Sequence, residues 1–216
     1  MRRHRGNLPK IVFVHIPRTG GTTFASLVQP FYGDGFFRDR DTGSNFNYNF
    51  KGYLKGKYPD FDFITGHFKA IKYEHLLECD YRFITWVRNP VYRAVSTYKV
   101  LKRKNLNGGS PIEHRNLILN QLGLLEFLAQ KRTRNQIWNI LKGFNLDLFS
   151  FVGFTESYDK SLSRFEETFG VKLPKVKKIK NASIYNRSIN ENEYRILAKY
   201  NHRDMDIYNR LVEKWG

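Results

Sequence analysis

The chain is poor in sulfur and in acid, and it has no long apolar run. Its 216 residues include one cysteine, Cys79, and two methionines. A single cysteine excludes an intramolecular disulfide, which suits a reducing compartment. Cys79 reads as a small, partly buried residue and not as a nucleophile. The six histidines are scattered along the chain and the lone cysteine has no partner, so no metal-ligand cluster is expected. No stretch approaches the ~18 apolar residues of a membrane span. The basic opening, Met1-Arg2-Arg3-His4-Arg5, precedes an apolar run too short for a signal-peptide core. The expectation is one domain over residues 1–216, in a soluble chain, cytoplasmic or otherwise, with no signal peptide or transmembrane segment.

Acid is scarce: 20 Asp and Glu stand against 37 Lys and Arg, a formal net charge of +17. Such a surface concentrates anionic ligands and speeds their encounter. Nucleic acid, acidic lipid, nucleotide and acidic polysaccharide all fit it. An apolar content of 41% with 26% charged residues is ordinary for a globular chain, so disorder is not expected.

The most informative segment is His15-Ile16-Pro17-Arg18-Thr19-Gly20-Gly21-Thr22-Thr23. It follows an apolar run, Ile11-Val12-Phe13-Val14, that reads as a buried strand. It leads into Phe24-Ala25-Ser26-Leu27-Val28, which can open a helix. A strand, a glycine turn and a helix start form an anion cradle, because the first helical N–H groups lack intrahelical partners and the macrodipole adds positive charge there. Gly20 and Gly21 permit close backbone approach and positive φ. Arg18 adds a full charge, and Thr22 and Thr23 add hydroxyls. A nucleoside-triphosphate loop would place Gly-Lys-Ser/Thr after four intervening residues. Here no Lys follows the second glycine, and the basic residue precedes the pair.

Further strands are expected over residues 11–16, 61–65, 82–87 and 149–153, each rich in β-branched or aromatic residues. Helical periodicity covers residues 22–28, 73–78, 90–102, 112–130, 134–141, 158–169 and 191–214, the last with a break near Asn201. Alternation of strands and helices implies an α/β sheet with parallel strands, whose ligands bind at the strands' carboxyl ends. Residues 31–57 and 103–110 read as long loops. Phe36, Phe37, Tyr48 and Tyr53 in the first of these can stack on sugar rings or pack in the core.

A second anion-binding pattern follows the strand at 82–87. Asn89 suits an N-cap and Pro90 the first helical position. Arg88 then sits at the strand's carboxyl end. Ser96 lies six residues beyond Pro90, roughly 9 Å along the helix, on one face with Arg93. Arg88 and Ser96 can grip one phosphate by charge and by hydroxyl.

With these two motifs in their order and spacing, the chain resembles sulfotransferases that use 3′-phosphoadenosine 5′-phosphosulfate (PAPS). The segment His15 to Thr23 resembles that family's 5′-phosphosulfate loop. Val87-Arg88-Asn89-Pro90-Val91-Tyr92-Arg93-Ala94-Val95-Ser96-Thr97-Tyr98 resembles its 3′-phosphate segment. A third stretch, Phe151-Val152-Gly153-Phe154-Thr155-Glu156-Ser157-Tyr158 with Ser161-Leu162, resembles the carbohydrate branch that includes heparan sulfate 2-O-sulfotransferases. No chemistry is assigned to it beyond Glu156 favouring the helix that follows. The resemblance implies a P-loop-like three-layer fold, a central mainly parallel sheet flanked by helices, and no metal. It implies that Arg18, Thr19, Gly20, Gly21, Thr22 and Thr23 hold the 5′-phosphosulfate and that Arg88 and Ser96 hold the 3′-phosphate. Lys180, Asn181 and Ser183, in a lysine-rich loop, correspond to a segment that closes over the nucleotide in relatives. Many relatives carry Lys where Arg18 stands, a planar fork replacing a compact ammonium.

Sulfuryl transfer to a hydroxyl needs a proton acceptor. His67 directly follows a strand and Gly66, at the ligand edge of the sheet, and a histidine there acts as base in the carbohydrate branch that this chain resembles. An ordinary imidazole is mostly neutral at pH 7 and can take a proton. His15 is the rival, expected to pack at the strand end; Asp62, Glu74 and Glu78 are weaker rivals, and His75 is expected to face solvent. The implied reaction is in-line displacement: His67 deprotonates the acceptor, and Arg18 with the cradle stabilises the leaving phosphate. A hydroxyl-bearing carbohydrate, including an acidic oligo- or polysaccharide, is the acceptor the resemblance favours. A tyrosine, a small glycoside and a lipid headgroup stay open. Two rival readings are an ATP-using P-loop kinase and a basic nucleic-acid-binding protein, although no zinc-finger, RRM or basic-zipper signature is found.

Overall fold

A computed structural model describes residues 8–39, 61–103, 112–175 and 189–216. Among the described residues five strands make one sheet: β1 (Ile11–Val14), β2 (Phe36–Asp39), β3 (Phe63–Gly66), β4 (Arg82–Val87) and β5 (Phe149–Phe154). Their order is β2-β3-β1-β4-β5, and every pairing is parallel. Parallel sheets are covered on both faces, so their strands read as continuous apolar runs and not as alternating ones. Central β1 shows this plainly, with all four of its residues at 0% exposure.

Eight α-helices accompany the sheet among the described residues: α1 (Gly21–Tyr32), α2 (Pro90–Arg103), α3 (Ile112–Leu119), α4 (Leu124–Leu128), α5 (Gln136–Leu141), α6 (Tyr158–Phe169), α7 (Glu191–Tyr200) and α8 (His202–Trp215). On one face Phe24 and Val28 of α1 and Leu162 and Phe165 of α6 pack with Phe13, Phe63, Trp86 and Phe151. On the other, Ile137 and Leu141 of α5 and Leu211 of α8 pack with Val12, Val14, Phe83 and Val152. The result is the expected three-layer α/β arrangement. A third cluster joins α2, α4 and α7 through Val91, Val95, Phe127 and Leu197. At the junction of β4 and β5, Trp86 stacks on Phe24 at 4.1 Å, and its ring lies where a Cβ on Gly153 would be, 2.3 Å from Cε2.

Several expectations need correction. Residues 31–57 do not begin as a loop: α1 runs on to Tyr32, a 3-10 turn spans Gly33–Gly35, and edge strand β2 follows. Phe36 and Phe37 are packing residues, stacked on Phe63 at 5.1 Å and on Phe61 at 4.3 Å. Tyr48 and Tyr53 lie outside the described residues. The helix expected over 112–130 is two helices, interrupted where Gln121 takes φ 49° and Gly123 caps α4. The segment around 73–78 is a 3-10 stretch, Ala70–Cys79. Cys79 is exposed, not partly buried. His75 is half-buried instead of facing solvent, and burial lowers its imidazole pKa while Glu78 opposes that.

Candidate active site

The glycine turn sits at the carboxyl end of the central strand, where crossovers leave a crevice. Arg18 takes φ 71° and Gly20 φ 86°, so the chain turns sharply twice before α1 begins. A left-handed Arg is uncommon and costs about 1 kcal/mol or more. The first helical donors with backbone acceptors are Thr23 N and Phe24 N, both on Gly20 O at 3.0 and 3.3 Å. The N–H groups of Gly21 and Thr22, at the start of α1, fall outside the helix ladder and can point to an anion. Thr22 is exposed at this opening, whereas Thr23 is buried. Thr19 is fully buried, and its hydroxyl donates to Ile16 O at 2.8 Å. Its side chain therefore closes the loop.

Gly20 and Gly21 are required sterically. At Gly20 a Cβ would sit 2.7 Å from Tyr158 Cε2, and the Tyr158 hydroxyl donates to Gly20 O at 3.0 Å. At Gly21 a Cβ would sit 2.3 Å from His15 Cδ2 and 2.8 Å from Phe13 Cζ. The His15 ring thus fills the floor below the turn, stacked on Phe13 with centroids 5.2 Å apart. Burial pushes its pKa down to about 3, helped by His67 and Arg38. His15 packs at the strand end as expected, against Phe13 and Gly21.

Arg88, at the end of adjacent β4, reaches the same turn. Its Nη1 donates to Arg18 O at 3.3 Å, and Arg18 Nε donates to Ser96 Oγ at 3.2 Å. Arg18, in the first anion-binding segment, thus contacts both Arg88 and Ser96 of the second. Arg88 is 8% exposed and Ser96 0%. Ser96 Oγ has no surface open to solvent here, so a phosphate reaches it only if surrounding side chains shift. Burial lowers the Arg88 pKa to about 10, with Arg18 and Arg93 contributing and Glu156 opposing. Burial also lowers that of Arg18. Asn89 Oδ1 accepts from Val91 N at 3.0 Å and Tyr92 N at 3.4 Å, the N-cap expected from sequence.

Arg93 is buried within α2. It is 1% exposed and pairs with fully buried Asp204 at 4.0 Å. Asp204 also accepts from Ile137 N at 3.1 Å and Trp138 N at 2.8 Å, capping α5. Burial pushes both partners toward their neutral forms, and the contact offsets this only in part.

His67 follows β3 and is exposed. Its Nδ1 lies 2.6 Å from His15 O. A carbonyl only accepts, so Nδ1 donates in this contact, and in that tautomer the lone pair is on Nε2. The rings of His67 and His15 are 4.4 Å apart, which places His67 next to the floor of the glycine turn.

The third motif ties the glycine turn to β4 and to the start of α2. Thr155 Oγ1 lies 2.8 Å from Thr19 O and 3.0 Å from Val87 O, sharing one proton between the glycine turn and the end of β4. Glu156 Oε1 accepts from Asn89 N at 2.8 Å. Ser161 Oγ accepts from Phe154 N at 2.8 Å. These bonds span up to 136 residues of sequence, so no local pattern discloses them; the signal was the motif itself. Lys180, Asn181 and Ser183 lie outside the described residues. No group of His, Cys, Asp and Glu able to hold a metal occurs among the described residues, and no helix among them is long and apolar enough to cross a membrane.

No family model matches the chain, and no curated protein matches it. Among solved structures it is similar to mouse sulfotransferase SULT7A1 complexed with PAP, at 16% identity and TM-score 0.43. That alignment covers 91% of this chain and 65% of the mouse chain. A sulfotransferase from Alicyclobacillus acidocaldarius is similar at 14% identity and TM-score 0.40, covering 95% of this chain and 96% of that one. Retinol dehydratase in a complex with retinol and PAP follows at 16% identity and TM-score 0.36, over 79% and 62% of the two chains.

Proposed function

We propose that the chain is a sulfotransferase that moves the sulfuryl group of PAPS to a hydroxyl, in the carbohydrate class of acceptor. The observation that carries this reading is the meeting of Arg18, Arg88 and Ser96 at one glycine turn. Two phosphate-binding patterns, read separately from sequence, converge where one doubly phosphorylated nucleotide can engage both. Arg18 with the open N–H groups of the turn holds the 5′-phosphosulfate. Arg88 and Ser96 hold the 3′-phosphate.

In this reading His67 Nε2 takes the acceptor proton as oxygen attacks sulfur. The S–O bond to the bridging phosphate oxygen breaks, and Arg18 and the turn stabilise the negative charge left on the phosphate. His15 O fixes the His67 tautomer that leaves Nε2 free. Thr155 keeps the turn registered against β4. PAPS supplies the activated sulfuryl group, and the reaction needs no metal. The third motif and the net charge of +17 support an acidic carbohydrate as acceptor.

Calorimetry with 3′-phosphoadenosine 5′-phosphate (PAP), with and without magnesium, tests this. Wild type binds tightly and without metal. Arg88→Ala weakens binding by about 10- to 100-fold, the value of one charge-assisted contact. Equal affinity in the two proteins removes Arg88 from the site. A magnesium requirement with ATP binding points instead to a kinase.

A further inference from the structure

His67 stands on a stretch of chain that is gripped on both sides. Before it comes Gly66, the last residue of β3, in parallel register with Asp39, the last residue of β2. A Cβ on Gly66 would run into Asp39 O and would lie 3.1 Å from Asp39 Cβ and 3.0 Å from Phe68 Cδ1. After it comes Phe68, whose ring meets that of Tyr73 edge-on, with centroids 4.7 Å apart. The Tyr73 hydroxyl donates to Asp39 Oδ2 at 3.0 Å, and Lys72 Nζ donates to the same oxygen at 2.6 Å. The contacts close a circuit from Asp39 to Gly66, on to Phe68, to Tyr73 and back to the Asp39 carboxylate. His67 lies within it, between Gly66 and Phe68.

The circuit is buried, and the histidine it encloses is not. Phe68 is 2% exposed, Tyr73 3% and Asp39 8%, whereas His67 is exposed. A carboxylate is stable in such a place only when it is paired and hydrogen-bonded, and Lys72 and Tyr73 supply both. An exposed side chain changes rotamer rapidly unless something holds it. The His67 ring meets His15 through one hydrogen bond and one ring contact. Both contacts depend on where the backbone of residues 66–68 delivers the side chain.

We infer that Asp39 and Tyr73, with Lys72 as counter-ion, are positioning residues for His67: they fix its backbone on both sides and so the direction of Nε2. The effect on turnover rests on the sulfotransferase reading, in which Nε2 takes the acceptor proton. A base held loosely is aligned with the acceptor for a smaller share of the time, and small misplacements lower rates steeply. In that reading neither Asp39 nor Tyr73 touches the nucleotide.

Tyr73→Phe tests this, because it removes one hydroxyl and leaves the ring against Phe68. PAP affinity by calorimetry stays within about twofold of wild type, while the single-turnover rate of sulfuryl transfer falls about tenfold. In a His67→Ala background the same substitution changes the residual rate by less than about twofold, since the base it positions is gone. An unchanged rate with His67 present overturns the inference. So does an equal loss in both backgrounds, which marks a general structural role, and so does a loss of PAP affinity large enough to account for the slower rate. If wild type does not bind PAP, or if His67→Ala turns over normally, it is the sulfotransferase reading or its base that fails. NMR of the histidine ring nitrogens then decides the positioning claim. With the imidazole neutral, wild-type His67 carries its proton on Nδ1, toward His15 O, and Tyr73→Phe moves a share of it to Nε2. A proton distribution unaltered by Tyr73→Phe overturns the claim.

Discussion

Arg18 and Ser96, 78 positions apart, meet through a 3.2 Å bond from Nε to Oγ. Arg18 leaves the central strand and Ser96 lies inside α2, so the bond ties the glycine turn to the helix that follows β4. Ser96→Ala leaves the guanidinium without this acceptor in a half-buried position. The expected cost is about 1 kcal/mol of stability, read as a lower urea midpoint with an unchanged m-value. PAP affinity falls about tenfold. A midpoint and affinity equal to wild type would show that the contact contributes to neither.

His67→Ala separates binding from chemistry. His67 meets the turn through His15, by its carbonyl and its ring, and not through Arg18, Arg88 or Ser96, so PAP affinity stays close to wild type. Turnover with a carbohydrate acceptor drops by about 100-fold or more, the usual value of a positioned general base. Single-turnover rates check this without interference from product release. Near-normal turnover would move the base elsewhere.

Gly21→Ala forces a methyl group into the His15 ring, 2.3 Å from Cδ2. Phe13 Cζ stands 2.8 Å from the same point and is stacked on the His15 ring. The expected loss is about 1–3 kcal/mol, typical of overpacking, measured by thermal or urea unfolding. Adding His15→Ala removes the nearer of the two obstacles and leaves Phe13 room to shift, so the double variant loses less than the two single losses combined. Strict additivity in this cycle would place the strain elsewhere.

His15 also predicts a pH dependence. Its pKa drops from 6.5 to about 3 on folding, chiefly through burial. Between those values the unfolded chain binds a proton that the folded chain does not. Stability from this group is therefore complete above pH 6.5 and declines as pH falls toward 3, by at most about 1.4 kcal/mol per pH unit. His15→Gln flattens this part of the stability profile relative to wild type. Urea midpoints from pH 7 to pH 4 check it, and parallel profiles would assign the acid sensitivity to other groups.

The sequence disclosed most of the sheet because buried parallel strands leave an unmistakable apolar signature. The limits of β4 agree at both ends, and α6 agrees over its whole length. Strand β2 escaped because it is a short edge strand, Phe36–Asp39, with two half-buried residues, one exposed and one buried, placed straight after Gly33-Asp34-Gly35. The break between α3 and α4 depends on a positive φ at Gln121, a residue with no special taste for that conformation. At the site, the local grammar of Asn89 and Pro90 was sufficient to place Arg88. The roles of Thr155, Glu156 and Tyr158 were not legible. Their partners are distant in sequence, and a hydroxyl or carboxylate gives no local sign of which carbonyl or amide it will meet.

The strand order also governs how the chain must assemble. The middle strand of the sheet is the earliest of the five in sequence, and its partners β3 and β4 begin about 50 and 70 residues later. No hairpin can form in such a sheet, and each pairing waits for a long loop to close. During synthesis both sides of Ile11–Val14 stay unpaired while the intervening chain emerges. This apolar segment is then the natural target for a chaperone, or for a second nascent copy, before folding is complete.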